Sequence, residues 1–259
     1  MKHAKPKILF LDIETAPIEA HVWQLFDQNV GLNQIVKDWS ILSWAAKWQG
    51  KSRIHYADVR KQKNLRDDSK ILKPIWELMD EADIIVGQNS KRFDVKKLNA
   101  RFILNGMQPP STYRQLDTMV MAKKHFSFTS NKLEYMSDKL CTKFKKLKHK
   151  EFGGHEMWAE CLKGNKKAWL EMEKYNKHDV LALEELYDKL IVFDNTINFN
   201  VYHKMHGPIC TCGNENIIKK GRQYTNGGSY DRFKCTNCGK NFQDKYNQLS
   251  PKKRREMLK

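Results

Sequence analysis

The chain has 259 residues with 47 Lys or Arg, 30 Asp or Glu and a formal net charge of +17, and its 40% hydrophobic and 11% aromatic content suffices for a proper core, which excludes wholesale disorder. Its longest apolar stretches, Ile8–Leu11 and Ile41–Ala46, are far too short for a membrane span of about twenty residues, and the first ends at Asp12, too soon for a signal-peptide core, so a cytoplasmic protein with no membrane partner is expected. The cation surplus favours a polyanionic partner, usually nucleic acid, because each neutralised phosphate releases condensed counterions, although ribosome-bound, membrane-surface and nuclease proteins all carry such charge.

Lys7–Glu14 reads as a buried strand that turns polar at its end, and Trp39–Trp48 with Arg53–Asp58 as a second pair joined by the turn Gln49-Gly50-Lys51. Ile71, Ile75, Leu78 and Met79 recur at helical spacing, and Asp83–Gly87 is a short buried strand. Phe93–Leu104 is then helical, a short strand lies around Gln115–Thr118, and a long amphipathic helix runs from about Lys166 to Phe193. Three antiparallel-type strands followed by helix-strand-helix units predict an α/β fold, a mixed sheet flanked by helices. Beyond it, Cys210, Cys212, Cys235 and Cys238 sit together, whereas Cys141 and Cys161 stand alone, so the cluster reads as metal ligands and not as disulfides. Residues 201–259 carry thirteen Lys or Arg against four Asp or Glu. The expected division is a domain over 1–200, a zinc ribbon over 201–245 and a basic tail over 246–259, in which Lys252-Lys253-Arg254-Arg255 forms a flexible arm.

Asp12 and Glu14 are one residue apart at the end of the first strand, so both project from one face. Alone they are also what a solvated strand end looks like. In Gly87-Gln88-Asn89-Ser90-Lys91-Arg92-Phe93-Asp94 an apolar strand breaks at glycine and an acid opens the next helix, where an ordinary cap would serve equally well. Tyr175 and Asp179 are four apart and share a helix face with Leu183 and Leu186, which places Asp179 against the sheet.

Together these motifs resemble the DnaQ-like 3′-to-5′ exonucleases of the RNase H-like superfamily, in their tyrosine (DEDDy) subtype, and look most like relatives of the exonuclease domain of family B DNA polymerases. Asp12-Ile13-Glu14 corresponds to the first motif, Asn89 with Phe93-Asp94 to the second, and Tyr175 with Asp179 to the third. Gln115-Leu116-Asp117-Thr118 and Asn131-Lys132-Leu133 resemble the family's middle segment. The likeness covers roughly residues 6–195 and implies an RNase H-like fold with two catalytic Mg²⁺ or Mn²⁺ ions about 4 Å apart, which suits hard carboxylate ligands. By resemblance Asp12 bridges both ions, Glu14 and Asp179 complete the site beside the attacking water, Asp94 reaches the second ion, and Tyr175 orients the water. The histidine subtype would need its histidine where Lys174 stands, so His178 is expected at the surface or behind the ligands. Asn89 and Phe93 are expected near the nucleic acid, with Phe93 packing behind the site in preference to stacking on a base.

Lys139–Lys150 holds six lysines and no acid, a solvated loop or one that tracks the phosphate backbone through residues such as Lys145 and Lys146. Cys210-Thr-Cys212-Gly213 and Cys235-Thr-Asn-Cys238-Gly239 suit one tetrahedral, structural Zn²⁺, although the first pair has one intervening residue where the usual knuckle has two. Arg222, Arg232 and Lys234, interleaved with Tyr224, Tyr230 and Phe233, hold phosphates and stack on bases, or else form a solvated face over a tiny core. The expected function is hydrolysis of DNA from the 3′ end with the ribbon aiding binding; DNA is favoured over RNA by resemblance alone. The alternatives are an exoribonuclease, a structure-specific endonuclease on the same fold, or a non-catalytic nucleic-acid-binding accessory protein. A replication or repair protein partner fits the same reading, and the Lys-heavy composition and small size suit a phage or an AT-rich bacterium, the former placing the protein in a host cytoplasm.

Overall fold

The computed structural model describes residues 6–145, 147, 151–202 and 208–257. It contains two compact units, one formed by Lys7–Tyr187 and one by the chain from Asp188 onward. Among the described residues no helix is long and apolar enough to cross a membrane.

The first unit opens with β1 (Ile8–Thr15), then a two-strand ladder of β2 (Glu19–Ala20) and β3 (Ile35–Lys37), then the hairpin of β4 (Ile41–Trp48) and β5 (Ile54–Asp58). Gly50, at φ 70°, makes the hairpin turn. Next come α1 (Ser69–Glu81), β6 (Ile84–Gly87), α2 (Asp94–Leu104), β7 (Arg114–Asp117), α3 (Thr118–His125), α4 (Leu133–Leu140), α5 (Glu156–Leu162) and α6 (Lys166–Leu190), whose last residues enter the second unit.

The sheet runs β5-β4-β1-β6-β7, with β1 antiparallel to β4 and parallel to β6. That is the expected mixed sheet flanked by helices. β1 is central, and its Leu9, Leu11 and Ile13 face the core made with Ile71, Ile75, Leu98 and Phe102 of α1 and α2. Phe10 takes the opposite face, where its ring meets Tyr187 of α6 edge-on at 5.3 Å. Alternation carries Asp12 and Glu14 onto the face of Phe10, toward α6. Two devices shape the strand ends. The β1–β4 register shifts between Glu14 and Thr15, just past the acids, and one more pair, Thr15 with Ile41, follows it. At Gly87 any Cβ would lie 2.4 Å from that of Ser90, so only glycine lets the chain fold back into the turn before α2.

The helices α3, α4 and α5 carry no clear periodic signal in the sequence. Each is only seven or eight residues long, too short to show a periodicity of its own. In the second unit, short 3-10 turns at Ile191–Phe193 and Phe199–Tyr202 precede a sheet ordered β10-β9-β8, from β8 (Ile217–Thr225), β9 (Gly228–Cys235) and β10 (Asn241–Asn247). Part of the expected basic arm is helical. Pro251–Glu256 forms α7, started by Ser250, whose Oγ accepts from the Lys253 amide at 3.1 Å, and by Pro251 in the first turn.

Candidate active site and metal centre

Asp94 is the first residue of α2 and is 3% exposed. Its Oδ1 accepts the Ile13 amide at 3.1 Å, so the second motif is fastened between the two acids of the first. Burial pushes its carboxyl up to about 7; the Ile13 amide and its own amide pull it down, and the nearby charge of Asp117 adds to the rise.

The third motif arrives on α6. Asn176, wholly buried beside Tyr175, donates through Nδ2 to Asp12 Oδ2 at 2.6 Å and to the Asp12 carbonyl at 3.2 Å, while its Oδ1 accepts from Ser43 Oγ at 3.1 Å. Ser43 lies directly opposite Glu14 in the β1–β4 ladder. Asp179, one turn beyond Tyr175, is 3% exposed. Trp158 of α5 donates Nε1 to Glu14 Oε2 at 2.9 Å and meets the Tyr175 ring edge-on at 6.3 Å. The structure thus draws together the elements bearing Asp12, Glu14, Asp94, Tyr175 and Asp179, with Asn176, Ser43 and Trp158 tying them.

The turn into α2 has its own support. Asp117 at the end of β7 accepts the amides of Asn89 at 3.0 Å and Lys91 at 3.2 Å, and caps α3 through Met119 and Val120. It can hold Asn89 at φ 60°, a conformation asparagine tolerates. Phe93 is not packed behind the site. Asp94 and Val95 turn inward at the helix start, which leaves the preceding Phe93 side chain 38% exposed, with Lys97 Nζ 5.7 Å from its ring.

His178 is engaged by the neighbouring loop, its Nε2 against the Lys145 carbonyl and its ring edge-on to Phe144. Lys145 reaches Asp138 at 3.2 Å in an exposed pair, and the preceding amides of Thr142, Lys143 and Phe144 dock on the Glu185 carboxylate. Lys146 lies outside the described residues.

The cysteines form a second candidate centre. Their four sulfurs lie within 4.8 Å of one another, and among the described residues they are the group of three or more Cys, His, Asp or Glu that packs so tightly. Cys210 Sγ is 3.3 Å from Cys238 Sγ, and Cys212 Sγ is 3.7 Å from Cys235 Sγ. Tetrahedral zinc with bonds of about 2.3 Å requires sulfur separations of about 3.8 Å, so the set fits that ion. Gly213 at φ 83° and Gly239 at φ 75° turn the two knuckles, the first closing despite its single intervening residue. Burial would raise the Cys235 thiol, but the amides of Cys238 and Asn237 and the Asn214 side chain outweigh it and hold the thiol at about 6, while burial pushes Cys210 up. Lys240, 3% exposed, donates to the carbonyls of Ile191 and Asp194, so the second knuckle is pinned to the turn that follows α6.

The ribbon cations are partly engaged within the sheet. Arg232 donates to the Lys220 carbonyl at 3.0 and 3.1 Å, and Arg222 stands 3.9 Å from Asp231, which also pairs with Lys219. Lys234 is exposed on the same face of β9 as Arg232.

This five-stranded order with acids at the end of its central strand defines an RNase H-like nuclease fold. Residues 9–191 match the RNase H superfamily, and the chain belongs to it. Among solved structures it is similar to the family B DNA polymerase from the hyperthermophilic archaeon Pyrobaculum calidifontis, with 17% sequence identity and a TM-score of 0.52. The match covers 73% of this chain and 25% of the polymerase, so the chain spans about a quarter of that protein, and at this identity the likeness concerns the fold. No curated protein matches the chain.

Proposed function

We propose that the protein is a 3′-to-5′ exonuclease that hydrolyses the terminal phosphodiester of DNA, with Asp12, Glu14, Asp94 and Asp179 as ligands for two Mg²⁺ or Mn²⁺ ions and Tyr175 orienting the attacking water. The observation that carries this reading is the convergence of three sequence-distant motifs, with Asp94 on the Ile13 amide and the neighbour of Tyr175 on Asp12. The donor set fits divalent cations, because hard carboxylate oxygens suit them and because burial alone pushes Asp94 toward its proton, a cost that a bound cation removes. When bound, such ions supply water activation and neutralisation of the leaving oxygen. Tyr175, 7% exposed and braced by Trp158, presents a hydroxyl whose hydrogen bond fixes the direction of attack.

Four cysteines holding one Zn²⁺ leave no open coordination position, so the ribbon's part is to hold nucleic acid, through Arg222, Arg232 and Lys234, while Asn89, Phe93, Lys145 and Lys146 serve the strand at the carboxylates. DNA is preferred on the strength of the polymerase likeness, and a cytoplasmic setting and a replication or repair partner belong to the same proposal.

The test is a Mg²⁺-dependent digestion panel of 3′-labelled, 5′-labelled and circular strands in DNA and RNA form. Exonuclease action shortens the 5′-labelled strand stepwise, releases the 3′ label first and spares circles. Cleaved circles would assign an endonuclease, and faster loss of RNA an exoribonuclease.

A further inference from the structure

Two neutral side-chain donors reach the acids at the end of β1 from residues far away in sequence. Asn176 holds Asp12, and Trp158 holds Glu14. The amide of Asn176 has a defined sense. Ser43 Oγ donates to its Oδ1, and reversal would set Oδ1 against the oxygens of Asp12. The chemistry of these donors is selective as well. A Lys or Arg at either position would fix its carboxylate but also cancel the charge and compete with a cation. A neutral N–H orients the oxygens and leaves the charge in place.

We propose that Asn176 and Trp158 are positioning residues, which hold the Asp12 and Glu14 carboxylates in the orientation that receives divalent cations; the proposal rests on the exonuclease reading. Ser43 sets the sense of the Asn176 amide. Trp158 serves twice, since the ring that donates to Glu14 also braces Tyr175.

The test uses the full, zinc-loaded chain and Mn²⁺ alone as probe, with binding measured from the free Mn²⁺ signal in electron paramagnetic resonance. Trp158→Phe keeps an aromatic ring against Tyr175 while it removes the N–H from Glu14 and part of the ring volume at a half-buried site, so its thermal midpoint is recorded too. Asn176→Ala removes the donor to Asp12 at a buried site, so its thermal midpoint is recorded alongside. Both variants are expected to bind Mn²⁺ about 10- to 100-fold more weakly, with the KM for a short oligonucleotide within about two-fold of wild type and turnover recovering at high Mn²⁺. A merely structural role would lower the thermal midpoint and leave Mn²⁺ affinity unchanged. A folded Trp158→Phe protein with Mn²⁺ affinity within about two-fold of wild type overturns the positioning role while leaving the exonuclease reading intact. A wild-type protein that neither binds Mn²⁺ nor degrades nucleic acid overturns the exonuclease reading and the positioning role with it.

Discussion

Asp94→Asn is expected to abolish nuclease activity and yet stabilise the cation-free protein at neutral and higher pH. Asparagine preserves shape, and its Oδ1 can keep the Ile13 amide bond of 3.1 Å. What disappears is a carboxyl that burial pushes from 3.8 up to about 7. Between those values the folded chain holds the proton that the unfolded chain has released, so unfolding free energy falls as pH rises through this window and levels off above about 7. At about 1.4 kcal/mol per pH unit, the loss at pH 8 is on the order of 4 kcal/mol. Wild type and variant should therefore agree near pH 4 and diverge by up to that amount at pH 8. All seven Trp residues of the chain lie between positions 23 and 169, so urea denaturation followed by tryptophan fluorescence reports the carboxylate-bearing unit and not the ribbon. Adding Mg²⁺ at pH 8 should restore much of the wild-type deficit and do little for the variant. Parallel pH–stability curves for the two proteins would refute the reasoning.

Three further predictions concern separate parts of the molecule. Asp12→Ala should leave less than about a tenth of wild-type activity while the protein remains folded, measured by oligonucleotide digestion beside circular dichroism. Tyr175→Phe keeps the ring against Trp158 and should lower turnover by roughly 10- to 1,000-fold with little change in KM, and a greater loss in His178→Ala would disprove the choice of tyrosine. Replacing Cys235 and Cys238 by Ser should release one Zn²⁺ per chain, measured by metal analysis, and unfold the β8–β9–β10 sheet, because so small a ribbon lacks a core without metal. Short-oligonucleotide activity at low salt should persist in that variant, with the slope of log affinity against log salt shallower by about one to three.

Much of this architecture was legible because its signals are local. β1, the β4–β5 hairpin, α1, β6, α2 and α6 each carry enough periodic apolar residues to be read unaided, and the acids sit where those elements end. The short helices α3 to α5 are imposed by tertiary context and by the Asp117 cap, which the sequence shows only as one acid beside Thr118. Asn176 lay in plain sight between Tyr175 and Asp179, yet its role depends on a partner 164 positions away. Trp158 had no such signal, being 144 residues from Glu14 in an unrecognised helix. The exposure of Phe93 turned on the geometry of a single residue before a helix start, which composition does not encode. Charge dominates the tail's sequence, and the short Ser250-Pro251 start signal that makes it helical stands out only beside the helix it caps.

The most direct test of the central claim is anomalous diffraction from crystals soaked in Mn²⁺. The account predicts two manganese peaks per chain ligated by the carboxylates of Asp12, Glu14, Asp94 and Asp179, with Asp12 touching both, and a separate zinc peak among the four cysteines. A zinc peak with no manganese at those carboxylates, under conditions where the protein digests DNA, would contradict it.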